Sequence, residues 1–238
     1  MRNIVLFVHL VVVVVFAACA VKGSPEPGPT VSRLDTLGLV VLSPEYSSVG
    51  LVCGTRPSMA ADSVLLFAAA SFTGECLKEF KHSNVAGDHV SDGRREKGFA
   101  CRRNTGAFVY FNGTWKFCPQ PYSAMLDTAA VYGGCAFGQE LIVCRGKLCE
   151  TIRKDANVNQ FRALCGLHGR LCVVESAGKL SFGGFKRKLL ELGVSDAIYL
   201  DMGPGWNHAC YRDGDSIVVL HPYRNASAYC TNWIVFYK

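Results

Sequence analysis

The stretch Ala197-Ile198-Tyr199-Leu200-Asp201-Met202-Gly203-Pro204-Gly205-Trp206 decides how this chain is read. Its four leading apolar residues predict a buried strand, and the glycines after Asp201 let backbone or ligand approach where a Cβ would stand in the way. A strand that delivers an Asp into a Gly-Pro-Gly turn presents that carboxylate, and loops held by rigid strands are where sites concentrate. Working back, Phe185, Leu189, Leu190 and Leu192 form the apolar stripe of a helix, with Lys186, Arg187 and Lys188 on its wet face and Gly193 as its stop. Ahead of that helix Arg162-Ala163-Leu164 opens a strand, His168-Gly169 turns it, and Leu171-Cys172-Val173-Val174-Glu175 returns antiparallel. Elsewhere Asn112-Gly113 predicts a two-residue hairpin turn, and the alternating apolar run at residues 231–237 predicts a core strand that closes the domain.

With 238 residues, half of them apolar, the chain can bury one full core, so a single domain is expected. The pattern is read as α+β, mainly antiparallel or mixed sheet with a few helices. Residues 1–20 have the form of an export signal: Arg2, an apolar run over residues 4–16, then Ala18-Cys19-Ala20. Cleavage after Ala20 and lipoprotein processing at Cys19 both fit. The destination is then periplasmic, outer-membrane or secreted; the apolar run falls short of the about twenty residues a retained membrane anchor needs, so a lipid on Cys19 is the one membrane tie expected. Residues 21–35, with Pro25, Pro27 and Pro29, read as a tether, leaving residues 36–238 as the folded domain.

The net charge of +6 is modest, and its one dense group is Arg94, Arg95, Lys97, Arg102 and Arg103. No nucleic-acid motif accompanies it, so no nucleic-acid partner is expected; a solvated hairpin face or an anionic glycan ligand both suit it. Of the twelve cysteines, eleven remain without Cys19. Export favours disulfides, while their position in strand-like runs equally suits buried, apolar thiols. No two cysteines stand two residues apart and His82 lies seven residues from His89, so neither a metal nor another cofactor is expected. The absence of Gly-x-Ser-x-Gly and of a phosphate-cradling glycine loop argues against an ordinary serine hydrolase or nucleotide enzyme.

The order Arg162-Ala163-Leu164, strand, helix ending Leu192-Gly193-Val194, then Asp196-Ala197-Ile198-Tyr199-Leu200-Asp201-x-Gly203-x-Gly205 resembles the phosphodiester glycosidase family, the catalytic domain type of the lysosomal uncovering enzyme. The blocks Phe67-Ala68-Ala69-Ala70-Ser71-Phe72-Thr73-Gly74 and Asn104-Thr105-Gly106-Ala107-Phe108 agree with it, so the resemblance spans roughly residues 51–238. It looks most like a divergent, Bacteroides-type bacterial branch. Met202, Pro204 and Trp206 stand where the family usually has Leu-Asp-Gly-Gly-Gly-Ser, and Pro204 has no amide hydrogen to offer a phosphate.

The resemblance implies hydrolysis of a sugar phosphodiester, of GlcNAc type, by an exported glycosidase. Such a reaction needs carboxylates near the sugar carbon and a cation for the departing phosphate. Asp201 is the first carboxylate by context, with a turn-forming Asp as the plain alternative; Glu140, after the glycine-rich 133–138 stretch, is the second. Arg162, opening a strand among apolar neighbours, is the cation, with Asp201 or a phosphate as its partner, or a purely structural ion pair. Asn104 matches the family's Asn-x-Gly-x-Phe segment. Asp88 and His89, in a polar cluster with Glu79, Lys81 and His82, and Gly203, Gly205, Trp206 and Arg212 around the turn, complete the expected substrate contacts. The rival reading is a non-catalytic surface or periplasmic glycan-binding protein that kept the fold and lost the chemistry.

Overall fold

A computed structural model describes residues 31–238. The signal and lipoprotein readings lie outside the described residues. The stretch read as a tether contributes a strand, Val31–Thr36, to the first sheet.

Five two-residue turns of the form X-Gly lay down much of the architecture. Leu37-Gly38, Asp92-Gly93, Asn112-Gly113, Arg145-Gly146 and His168-Gly169 all have both central φ angles positive, between 48° and 75°. Two such residues give the turn whose twist matches that of the paired strands. Each of these turns joins two antiparallel strands. The hairpins at His168-Gly169 and Asn112-Gly113 are those the sequence announces.

The strands assemble into one seven-stranded sheet, two five-stranded sheets and a two-stranded ribbon. The first sheet runs, in order, Val31–Thr36, Leu39–Pro44, Arg170–Ser176, Arg162–Leu167, Val194–Leu200, Leu141–Cys144, Lys147–Leu148. The second runs Ser216–His221, Ala209–Asp213, Val64–Ala69, Asn232–Tyr237, Ser48–Cys53. The third runs Arg94–Glu96, His89–Ser91, Cys135–Gln139, Gly106–Phe111, Thr114–Pro119. The strand expected near the C-terminus is Asn232–Tyr237, buried between two neighbours.

Strand alternation divides the apolar residues of the first sheet between a core on each of its faces. Leu164, Ile198 and Leu200 face a central core with Ala68, Phe108, Phe137 and Phe236 of the other sheets. Ala163, Cys165, Ala197 and Tyr199 face the other way, against the helix Phe182–Glu191. That helix is the one predicted. Ser181 Oγ caps it by accepting from the Gly184 amide at 3.1 Å, and Gly193 follows with φ +88°. Phe185 and Leu189 are fully buried, each removal from water stabilising by about 1.5–3 kcal/mol. Lys186, expected on the wet face, is buried: its Nζ reaches Asp155 Oδ1 at 2.7 Å and Thr151 Oγ1 at 3.2 Å.

The expectation of an α+β domain is overturned. The fold is largely β: among the described residues, nineteen strands face only two α-helices, Ser123–Val131 and Phe182–Glu191. The predicted helix is real but short, while most apolar runs are strand-length and end at glycine turns, so the sheets dominate. All eleven cysteines among the described residues are free thiols, which corrects the expectation of disulfides. Cys135, Cys165, Cys172, Cys210 and Cys230 fill the cores as small apolar groups, and burial pushes the Cys135 thiol up to about 12.

Candidate functional site

One strand from each large sheet ends at a common seam. Val64–Ala69, Cys135–Gln139 and Val194–Leu200 are followed by Ala70, Glu140 and Asp201. The Asp201 amide donates to the Ala70 carbonyl at 3.1 Å, and the Tyr199 amide to the Glu140 carbonyl at 2.9 Å. Ser71 ties the seam further, its hydroxyl donating to the carbonyls of Ala86 (2.9 Å) and Gly138 (2.8 Å). Two carboxylates, distant in sequence, are thereby fixed beside one strand.

Asp201 is buried, and its Oδ1 accepts the Gly203 amide at 3.0 Å. Burial raises its pKa to about 6, against the opposing pull of the Gly203 amide and the Arg153 guanidinium. A carboxyl held near that value gives and takes a proton close to neutrality, as a general acid or base must. Glu140 is fully buried; its Oε1 accepts the Arg153 amide at 2.7 Å.

Arg153 is the residue that sequence reasoning missed. Its guanidinium stands over the Tyr199 ring, 4.5 Å from the centroid, and over Phe182 at 5.4 Å. Its Nε lies 3.8 Å from Glu140 Oε2, yet both atoms are buried without a hydrogen bond. Leaving a buried polar atom unpaired costs about 1–3 kcal/mol, so such atoms mark where a ligand would complete the bonding. The only sequence signal for Arg153 is a lone arginine in the irregular 150–157 stretch, which no periodicity marks.

Asn104 is also buried here. Its Nδ2 donates to the Ala86 carbonyl at 2.8 Å, leaving Oδ1 without a partner. Next to it, Arg103 stacks over Phe72 at 5.6 Å, and Phe72 in turn packs against Tyr199, ring centroids 5.8 Å apart. Arg103 has no ion-pair partner among the described residues and is half-buried, a cation open to an anionic ligand.

Arg162 does not meet Asp201. It pairs across the sheet with Leu200, so its side chain lies on the face of Leu200, opposite the face that Tyr199 and Arg153 share. There its Nε and Nη2 donate to Glu175 Oε2 at 2.8 and 2.6 Å, and Nη2 also to the Asn207 carbonyl at 2.8 Å. Only Nη1 is without a partner. Burial raises the Glu175 pKa, but Arg162 and His221 outweigh it and hold the carboxyl below its usual value. Arg162 is therefore a structural ion pair in this arrangement.

The remaining expected contacts divide. Trp206 is at the seam, its indole N–H donating to Thr73 Oγ1 at 2.8 Å, and Gly203 supplies the amide that holds Asp201. Gly205, at φ +93°, backs onto the chain: a Cβ there would stand 2.6 Å from that of Ala226. Arg212 spends its donors on the carbonyls of Met59 (2.7 Å) and Val64 (3.3 Å). Asp88 pairs with Arg95 at 2.8 Å, which also holds Asp127 at 2.6 Å. His89 belongs to a separate cluster with His82 and Cys53; burial lowers its pKa. Two open cavities, of about 510 and 570 Å³, include none of Asp201, Glu140 and Arg153, so the site is located by its chemistry and not by cavity size.

No protein-family model matches the chain, and no curated protein matches it. Among solved structures it is similar to the zebrafish N-acetylglucosamine-1-phosphodiester alpha-N-acetylglucosaminidase catalytic domain auto-inhibited by its pro-peptide. The TM-score is 0.59 at 14% identity, covering 91% of this chain and 85% of that one. A hypothetical protein from Synechocystis is similar at TM-score 0.50 and 10% identity, covering 87% of this chain and 61% of that one. The likeness is one of fold.

Proposed function

We propose that the seam hydrolyses a glycosyl phosphodiester, with a GlcNAc-type sugar as the substrate class. The observation that carries this reading is Asp201: a buried carboxyl with a pKa of about 6, at a strand end beside an incompletely bonded Glu140–Arg153 pair. The similarity of fold to a GlcNAc-phosphodiester hydrolase supports it. Asp201 serves as the proton-transfer group and Glu140 as the second carboxylate at the sugar carbon. Arg153 and Arg103 neutralise the departing phosphate, the role first given to Arg162, and Asn104 Oδ1 accepts a sugar hydroxyl. With the N-terminal signal reading, the reaction takes place outside the cytoplasm on an exported substrate.

The test is release of GlcNAc from a GlcNAc-1-phosphodiester across pH 4–8. Turnover with a pH limb near 6, lost by several powers of ten in Asp201→Asn with the fold intact, is expected. Binding of the same compound without turnover at any pH supports the non-catalytic glycan-binding reading instead.

A further inference from the structure

Away from that seam, three elements meet at Cys53, His82 and His89. Cys53 ends the strand Ser48–Cys53, His82 opens the short turn His82–Asn84, and His89 opens the strand His89–Ser91. One ligand atom from each of the three lies within 4.8 Å of the other two. His82 Nδ1 and His89 Nε2 are 2.9 Å apart, with the two rings stacked at 5.2 Å.

The outer contacts of both rings orient these nitrogens. His89 Nδ1 lies 3.2 Å from the Gly87 carbonyl, which can only accept, so Nδ1 carries the proton and Nε2 turns a lone pair inward. In the metal-free protein His82 Nδ1 donates to that lone pair at 2.9 Å; on metal binding the His82 proton shifts to Nε2, which faces the Glu96 carboxylate at 4.0 Å, and Nδ1 is freed. Metal-bound histidines are held in this way, by a carbonyl or carboxylate on the far nitrogen. Beside them a polar cavity of about 340 Å³ is lined by Cys53, His82, Ser91, Asp92, Arg94 and Glu96.

We propose that Cys53, His82 and His89 bind a zinc-class divalent cation, with the fourth coordination position open to the cavity. One thiolate and two imidazoles are a borderline-soft set that suits zinc or cobalt, not magnesium or calcium. Tetrahedral zinc with Zn–N of about 2.0–2.1 Å separates two nitrogens by about 3.3 Å, so the observed pair opens by roughly 0.4 Å on binding. His82, whose side chain is 37% exposed, has room to make that shift. Binding releases the Cys53 thiol proton to solvent and leaves both imidazoles neutral. The expectation of no metal rested on spacing along the chain; here the ligands come from three separate elements.

The test uses the reduced, chelator-treated full chain titrated with Co²⁺ alone and then with Zn²⁺. Saturation at one Co²⁺ per chain is expected, with a thiolate-to-cobalt charge-transfer band that Zn²⁺ displaces, and a Tm raised by Zn²⁺. Cys53→Ser removes the band. His82→Ala, at a partly exposed side chain, weakens binding at least tenfold under conditions where circular dichroism shows the metal-free variant folded. Glu96→Gln weakens it by about 10–100-fold, and Cys76→Ala, at the exposed cysteine, changes nothing. No saturable cobalt spectrum in the wild type, or the same spectrum in both Cys53→Ser and His82→Ala, overturns the proposal.

Discussion

Replacing Asp201 with Asn changes how stability depends on pH, in a direction that burial alone dictates. In the native protein the Asp201 carboxyl keeps its proton up to a pH of about 6, against an ordinary value of 3.8. Between those two values the native state binds more protons than the unfolded chain, so stability falls as pH rises. The window therefore runs from about pH 4 to about pH 6.5, and across it this one group removes about 3 kcal/mol. The amide of Asn carries no charge and does not titrate, yet its side-chain oxygen still accepts the Gly203 N–H. Relative to wild type, Asp201→Asn is expected to gain about 3 kcal/mol between pH 4 and pH 7, a Tm difference of about 6–12 °C for a chain of this size. Urea unfolding of both proteins at several pH values reads this as a double difference, from which groups common to the two cancel. Parallel stability curves would refute the reasoning, because Asp201 would then titrate alike in the folded and unfolded states. If Asp201 is also the proton-transfer group, the same variant is more stable at neutral pH and inactive.

Arg162→Met should cost about 3–5 kcal/mol in urea unfolding, because it leaves the buried Glu175 carboxylate with His221 as its remaining partner; Glu175→Gln should cost a similar amount by removing the counter-charge of the buried Arg162 guanidinium. Arg103→Ala should leave stability within about 0.5 kcal/mol, while raising KM for a phosphodiester about tenfold or more through loss of a charge-assisted contact; steady-state kinetics with thermal melting separates the two effects. Thiol labelling of denatured, unreduced protein should modify all eleven described cysteines, and in the native protein Cys76 should react ahead of the buried Cys135, Cys165 and Cys230. A deficit of two labels would place a disulfide where free thiols are expected.

The local chemistry of this protein is legible in its sequence wherever neighbours along the chain decide it. The His168-Gly169 and Asn112-Gly113 turns, the capped helix ending at Gly193, the buried C-terminal strand and the strand-end Asp201 follow from φ preference and from apolar period. Three further X-Gly turns carry the same signal, and counting them would have shifted the α+β reading toward the largely β fold. Register is what the sequence withholds. Arg162 opposes Leu200 and not Asp201, and that one-residue offset turns its side chain to the other face of the sheet, onto Glu175. Convergence is withheld too: Arg153 reaches Tyr199 from an irregular loop, and the Glu140 backbone meets Tyr199, two residues from Asp201, only because strands of different sheets end together. The same holds for Cys53, His82 and His89, which no ligand spacing announces. A chain of antiparallel strands fixes its hairpins by contacts a few residues long, but its clusters of charge and of metal-ligating groups arise where separate sheets meet, and only tertiary packing sets those distances.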